Sequence, residues 1–432
     1  MPFHNSKDAE SNRPYNQPTS PEPITAPRTP LTHIHLQRCT PSRRPPRSLP
    51  SVILTMAQSL VYTSATPGSS SSTLLVSHAI PSCSVSAVDP TSTSPSDAGQ
   101  DEVLVRFLAA PVNRVDLMLL AGRYPIKPKY TAPSPDGVSH PIPGFDGCAI
   151  VQSSITPILQ PGDLVLPRDL GLGTWRTHAT LPTSALIKLP AGIDPIDAAL
   201  IRSGALIARL LLDEVTPLRV GDWVIASAGT SGVSQFLVQL ARKRGVRVVL
   251  VVRDREEVVL AVVKAELRAL GADAVLSESE LESELVARSS GAPSAGLLPK
   301  EPIGLALDSV FGRVGQLLAS ALAPGGKFVL VGLLAGPSAT VTVTTDHLFT
   351  RQLSFLPFRG SEHLKRMGSE RAEQLIYETA NMFVDGTLKR PTVNVVDWTT
   401  AGEGEVEEAL KSAVQLASGK EVGHIKTVWK LN

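Results

Sequence analysis

A strand-like run, Asp222-Trp-Val-Ile-Ala226, leads directly into Ser227-Ala-Gly-Thr-Ser-Gly-Val-Ser234, and Val233 to Arg244 then reads as a helix. Small residues between a strand and a helix let backbone N–H groups and the helix N-terminus approach a pyrophosphate. A glycine-rich turn alone is more often structural, but the strand before it and the helix after it raise the signal. The surroundings repeat the pattern. Arg247 to Val252 is a second apolar strand, and a helix follows from about Glu256 to Leu270, ending at Gly271. Glu278 to Arg288 is a charged segment expected as a solvated helix, and Ile303 to Leu307 and Lys327 to Val331 are later strands. This alternation, from about Asp194 to Leu356, implies a parallel, doubly wound sheet.

The chain before it is patterned differently. From Leu60 to Pro190, short β-rich runs such as Val103 to Phe107, Ala149 to Gln152 and Asp163 to Leu166 are broken by Gly, Pro and Ser. That spacing suggests a compact, mostly antiparallel barrel opening with Ser59 to Thr63, with Ser82 to Ser96 as a long loop. Beyond Glu362, a helix over Glu370 to Val384, a strand near Val393, a helix near Val406 to Leu416 and a final strand over His424 to Val428 are expected.

Residues 1 to about 55 are rich in Pro, Ser, Thr and Arg without apolar periodicity, a composition of disorder. Between Pro23 and Val88 stand Arg28, Arg38, Arg43, Arg44 and Arg47 and no acidic residue, which suits a mitochondrial presequence. The prolines and Asp8, Glu10 and Glu22 argue for unstructured filler instead. An internal start at Met56 would give a tail-less, cytosolic form.

With 41 basic and 40 acidic residues, no field of one sign points to nucleic acid or an anionic membrane. No apolar run reaches the ~18 residues of a membrane span. Cys39, Cys83 and Cys148 are widely separated, which argues against a disulfide framework and for a reducing compartment. Three cysteines cannot make a four-Cys zinc site, no Cys/His cluster has ligand spacing, and no metal site is expected.

The end of the second strand, Val251-Val-Arg253-Asp254-Arg255, bears on the cofactor. An NAD site places an acidic residue there for the ribose hydroxyl. Two arginines would instead pair with a 2′-phosphate, favouring NADP(H) over a merely solvated charged loop.

Residues 171 to 177, Gly-Leu-Gly-Thr-Trp-Arg-Thr, lie between two strand-like runs, Asp163 to Pro167 and Ala185 to Leu189. They read as a sharp turn carrying an exposed Trp-Arg pair. The segment from Asp169 resembles the Gly-Leu-Gly-Thr-Trp-Arg stretch of the mitochondrial trans-2-enoyl-CoA reductases, zinc-free members of the medium-chain dehydrogenase/reductase superfamily. Ala110-Pro-Val-Asn-Arg-Val-Asp-Leu is similar to that family's Ala-Pro-Ile-Asn-Pro-Ser-Asp. Ala121-Gly-Arg-Tyr-Pro-Ile-Lys-Pro is similar to its Gly-x-Tyr-Pro-x-Lys-Pro. The resemblance covers about Gln58 to Asn432.

It implies an α/β protein: a GroES-like, mostly β barrel domain over 57–200, completed by about 362–432, and a Rossmann NADP-binding domain over 201–361, with 1–56 as the tail. It implies NADPH-dependent reduction of trans-2-enoyl thioesters, the last step of mitochondrial fatty acid synthesis, by a homodimer in the mitochondrial matrix. The substrate would be delivered on CoA or acyl carrier protein. The family's catalytic tyrosine maps to Tyr124. Its phosphate loop maps to Thr230, Ser231, Gly232 and Val233, and its 2′-phosphate end to Arg253, Asp254 and Arg255. Gly332 and Leu333 fall on the nicotinamide side, and Leu356 to Phe358 and Lys426 on further cofactor contacts. Asn113, Trp175 and Arg176 fall on the substrate side. The chemistry needs an acid: negative charge develops on the thioester oxygen and C2 must be protonated, work suited to a neutral phenol with pKa near ~10.

The chain departs from the family at several points. Ser234 stands where the loop usually closes with Gly, and is expected to perturb the turn. Gly204-Ala205 replaces Asn-Pro, removing one cofactor hydrogen bond. Val331-Gly332-Leu333 replaces aromatic-Gly-Gly, and the usual Phe-Trp pair is missing around Pro357. Gly144-Phe-Asp-Gly147 replaces Gly-Asn-Glu-Gly in a form familiar from quinone oxidoreductases. Two alternatives therefore stand beside the reductase: a zeta-crystallin-like NADPH quinone oxidoreductase, and a non-catalytic descendant of the fold.

Overall fold

The computed structural model describes residues 56–62, 73–81, 101–124, 126–134, 137–398, 408, 411–412 and 425–431, all within one compact unit spanning residues 54–432. The expected tail before Met56 and the expected loop over Ser82 to Ser96 lie outside the described residues. So does most of the helix expected near Val406 to Leu416, of which 408, 411 and 412 are helical.

The chain opens with β1 (Ala57–Tyr62) and β2 (Thr73–His78), an antiparallel pair. In β3 (Glu102–Pro111), Val103, Val105 and Phe107 point into one core with the two-residue period of a half-covered strand. From Phe107 onward every position is buried, because α2 packs across this end. Next come α1 (Arg114–Leu120), the short pair β4 (Thr131–Pro133) and β5 (Ser139–Pro141), and then β6 (Cys148–Ser154), β7 (Leu164–Pro167), β8 (His178–Pro182) and β9 (Leu186–Lys188). Two helices, α2 (Pro195–Ala199) and α3 (Leu206–Asp213), flank a π-turn at Ile201–Ala205.

The second sheet is built from β10 (Trp223–Ala226), α4 (Gly232–Lys243), β11 (Arg247–Val252), α5 (Glu257–Leu270), β12 (Ala274–Ser277), α6 (Glu278–Ser290), β13 (Ile303–Asp308), α7 (Gly312–Ala321), β14 (Lys327–Leu330) and β15 (Ser354–Pro357). Its order is β12-β11-β10-β13-β14-β15 and every pairing is parallel. This is the doubly wound sheet expected from the strand–helix alternation. The order reverses between β10 and β13, where such sheets open a ligand crevice at their carboxyl ends.

Helices α8 (Gly360–Met367) and α9 (Ser369–Val384) pack against α3. Then β16 (Val393–Asp397) and β17 (Lys426–Lys430) return to the first sheet, whose order is β16-β17-β3-β6-β7-β9 with β8 on β3. Of this sheet only β16–β17 is a parallel pair, so the mostly antiparallel expectation stands. The last strand begins two residues later than expected.

Two strands of the second sheet escaped the sequence pattern. β12 and β15 have four residues each, too few for a period to register, and β15 is a half-exposed edge strand. The charged helix α6 is also less solvated than its composition suggests. It buries Leu281 and Glu284, whose Oε1 accepts from Arg288 (3.2 Å) and Ser294 (2.5 Å).

Candidate active site

All strands of the second sheet run the same way, so their carboxyl ends share one edge. After β10, Ser231 caps α4, its hydroxyl accepting from Ser234 N at 3.2 Å. The N–H groups of Gly232 and Val233 have no partner among the described residues, and a Cβ on Gly232 would meet no atom within 4 Å. Open space before two free donors at a helix N-terminus fits a pyrophosphate. Gly229 does something else: a Cβ there would lie 3.0 Å from Leu250 and Val252, so it lets the turn sit on β11. Ser227 ties β10 to β13, its hydroxyl donating to Asp308 at 2.7 Å and accepting from Ser309 N at 2.8 Å. Gly332 closes on Ser309, where a Cβ would stand 3.0 Å from the carbonyl oxygen, and Leu333 beside it is exposed.

The expected perturbation of the turn by Ser234 did not materialise. The Ser234 side chain is buried, accepting from the Ser231 hydroxyl at 3.1 Å and donating to Ser227 O at 3.4 Å, so the helix starts normally. At Gly204, the Phe236 ring of α4 occupies the space a side chain would need, with its edge 2.9 Å from a would-be Cβ. The departure from Asn thus goes with repacking of the π-turn on α4.

At the end of β11, Arg253 is exposed, and Arg255 donates to Arg253 O at 2.8 Å. Among the described residues no ion pair engages either guanidinium, leaving both available to an anion. Asp254 is committed elsewhere. Its carboxylate accepts from Ser279 N (3.2 Å) and Ser279 Oγ (2.9 Å) at the start of α6. Burial alone would raise its pKa, but those bonds, Ser277 and the nearby Arg313 hold it below the usual carboxylate range. Asp254 thus ties the end of β11 to the start of α6.

The barrel contributes a buried polar cluster. Asn113 is the N-cap of α1 and donates through Nδ2 to Asp146 Oδ2 (2.8 Å), while its Oδ1 accepts from Lys426 Nζ of β17. Asp116, fully buried, accepts from Asn113 N (2.7 Å) and Phe145 N (3.0 Å), which locks α1 to the Gly144–Gly147 loop. Burial pushes Asp116 up to about 8, and the neighbouring Asp146 adds to this. Burial also lowers the Lys426 pKa, against the pull of Asp146 and Asp116. Tyr124 lies half-buried just past α1, its ring 5.3 Å from that of Phe145. Burial raises its pKa, Arg359 opposes this, and Asp116 and Asp146 add to the rise. Arg359 follows β15 of the second sheet, so the phenol feels a cation from the cofactor side. Leu356 in β15 is partly exposed and Phe358 is buried, stacked on His363 at 4.7 Å. Asn113, Asp146 and Lys426 are thus brought together, and Tyr124 feels the charges of Asp116 and Asp146 beside them. Asp116 was not singled out from sequence, although an Asn followed three residues later by Asp is a capping-box signal.

The Trp175-Arg176 expectation needs correction. Trp175 is 0% exposed and Arg176 6%. The indole donates to Pro111 O at 3.3 Å and meets Trp429 edge-on at 5.6 Å. Arg176 donates to Leu172 O at 2.9 Å and lies 4.7 Å from the centre of the Tyr130 ring. Burial brings its pKa down to about 10. Both side chains are buried rather than exposed, and the motif is the seat of the Gly144–Gly147 loop. Gly173 N and Thr174 N donate to Gly144 O, each at 3.1 Å, and the Thr174 hydroxyl donates to Asp146 O at 2.6 Å. A composition reading cannot separate a surface turn from a buried seat, because only packing distinguishes them.

Family models place the chain. One described as Alcohol dehydrogenase GroES-like domain matches residues 99–191, and one described as Zinc-binding dehydrogenase matches residues 232–376. Among the described residues, no three His, Cys, Asp or Glu side chains are grouped to hold a metal ion. The mitochondrial enoyl-[acyl-carrier-protein] reductase of Mus musculus is 33% identical over 300 residues, 68% of this chain and 74% of that protein. The chain belongs to the mitochondrial enoyl-[acyl-carrier-protein] reductase family. The fold is shared with the Etr1p/NADP/crotonyl-CoA complex (TM-score 0.69, 23% identity, 87% of this chain and 99% of that one). It is shared equally with the Etr1p/Etr2p heterodimer of Candida tropicalis (TM-score 0.68, 23% identity, with the same coverage).

Proposed function

We infer that this reductase uses NADPH to convert trans-2-enoyl thioesters to acyl thioesters. The observation that carries the reading is a partly buried Tyr124 whose phenol feels Arg359, Asp116 and Asp146, in a member of this family. When bound, NADPH supplies the hydride. Gly232 and Val233 N–H would hold its pyrophosphate, and Arg253 and Arg255 its 2′-phosphate. Tyr124, kept neutral by its raised pKa, donates a hydrogen bond to the thioester oxygen as negative charge gathers there. The known solved complex carries crotonyl-CoA, and CoA or acyl carrier protein delivery of the substrate is proposed here on that likeness. The family names point to mitochondria, and a matrix location for the last step of fatty acid synthesis is part of the proposal. So is a homodimer, supported by the exposed Leu348 (58%) and Phe349 (86%), which lie just before the edge strand β15.

The quinone reductase alternative draws on Gly144-Phe-Asp-Gly147. Against the non-catalytic alternative, Ser234 is accommodated without disturbing the start of α4. NADPH oxidation is the test, comparing crotonyl-CoA with a small quinone. Turnover of the thioester should fall about 10²-fold or more in Tyr124→Phe, with the fold intact by circular dichroism. Turnover of the quinone alone, or a Tyr124→Phe enzyme as fast as wild type, would sink the assignment.

A further inference from the structure

Asp146 is the unexplained member of the cluster. It is 2% exposed, and one carboxylate oxygen, Oδ1, is buried with no hydrogen-bond partner among the described residues. A buried carboxylate with an unused oxygen is costly to keep unless its charge serves a neighbour. Its other oxygen accepts from Asn113 Nδ2 at 2.8 Å, which leaves the Asn113 carbonyl facing Lys426 Nζ. An amide can satisfy both ends only in this orientation, because NH2 must meet the carboxylate and C=O the ammonium. The loop cannot drift. Asp146 O is gripped by the Thr174 hydroxyl at 2.6 Å, and Phe145 N by Asp116 at 3.0 Å.

We propose that Asp146 is a positioning residue: acting through Asn113, it aims Lys426 into the cleft and supplies the countercharge that keeps this ammonium protonated where water is excluded. The inference rests on the proposed reductase site only for the use the cation is put to, namely stabilising negative charge near Tyr124. The pairing itself is independent of that reading. The charged and titratable groups around the pair are Asp116 from α1, Tyr124 beyond it, and Arg202 from the π-turn. Arg202 is tied to Pro167 O and Arg168 O, each at 2.7 Å, and feels the Asp146 charge. Both carboxylates favour the charged form of Lys426, Asp146 the more strongly of the two. Loss of the Asp146 charge lowers the pH at which Lys426 deprotonates.

The test is the titration of Lys426 itself, read by carbon NMR after reductive methylation of the full chain with labelled formaldehyde. The resonance is assigned by its absence in Lys426→Arg. In Asp146→Asn the Lys426 titration should drop by roughly one pH unit or more. Asp146→Glu keeps the charge and should titrate close to wild type, and it also serves if the Asn variant does not fold. In parallel, the alkaline limb of the pH profile of kcat/KM should move down by the same amount in Asp146→Asn and stay in place in Asp146→Glu. An unmoved Lys426 titration in Asp146→Asn, or a fall in Asp146→Glu as large as in the Asn variant, overturns the proposal. A shifted titration in a protein that does not reduce enoyl thioesters supports the pairing and removes the functional reading instead.

Discussion

At the scale of single residues, position within the fold decides what each charge can do. Among the described residues Arg253 and Arg255 at the end of β11 make no ion pair, though both feel the Glu278 charge, while Asp254 between them bonds to Ser279. The double variant Arg253→Ala with Arg255→Ala should raise the KM for NADPH on the order of tenfold or more and leave that for NADH nearly unchanged, because only the former carries the 2′-phosphate. Steady-state kinetics with both cofactors would measure this, and an unchanged preference would assign the two arginines to solvent. The pair was visible in the sequence because it follows an apolar strand that follows a glycine-rich turn. The diversion of Asp254 was not, since its partner lies 25 residues further on in α6. The Tyr124 slot was legible from its neighbours in sequence. Its electrostatic setting came from Arg359 and Asp146, distant in the chain.

At the scale of elements, two segments far apart in sequence interlock. Gly144 has φ +102°, and a Cβ there would approach Thr174 Oγ1 to 2.4 Å and the Trp175 side chain to 2.6 Å. Gly173 has φ +72°, and a Cβ there would lie 2.9 Å from Ile142 O. Each glycine is therefore required by the other segment. Gly144→Ala combines a left-handed backbone with a backbone-level clash and should cost roughly 2–5 kcal/mol, read as a lower midpoint in urea. It should also loosen Asp146, with turnover falling further than stability alone explains. A variant as stable as wild type would show that the loop is not seated as described. Sequence patterning found these glycines as turn residues. It misjudged the Trp175-Arg176 pair as exposed because local composition is the same for a surface turn and a buried seat.

At the scale of the whole molecule, the proposed site draws on both sheets. Tyr124, Asn113 and Lys426 belong to the barrel side, the α4 N-terminus, Arg253 and Arg359 to the parallel sheet, and Tyr124 feels the Arg359 charge across the two. The C-terminal strand β17 must return to β3 before Lys426 can reach Asn113, a separation of 313 positions. Assembly adds one more level. If the edge beside β15 is the dimer contact, Phe349→Glu places a charge in it and should turn a dimer into a monomer by sedimentation velocity. A wild-type monomer, or a dimer indifferent to the change, would end that part of the reading. Strand–helix alternation, the glycine-rich turn and the arginine pair were all readable in order along the chain, because each depends on residues within a few turns of one another. The polar cluster, the seat beneath it and the repacking of Phe236 against Gly204 were not. They rest on contacts between residues far apart in sequence, and burial and hydrogen bonding at such contacts exist only once the chain has folded.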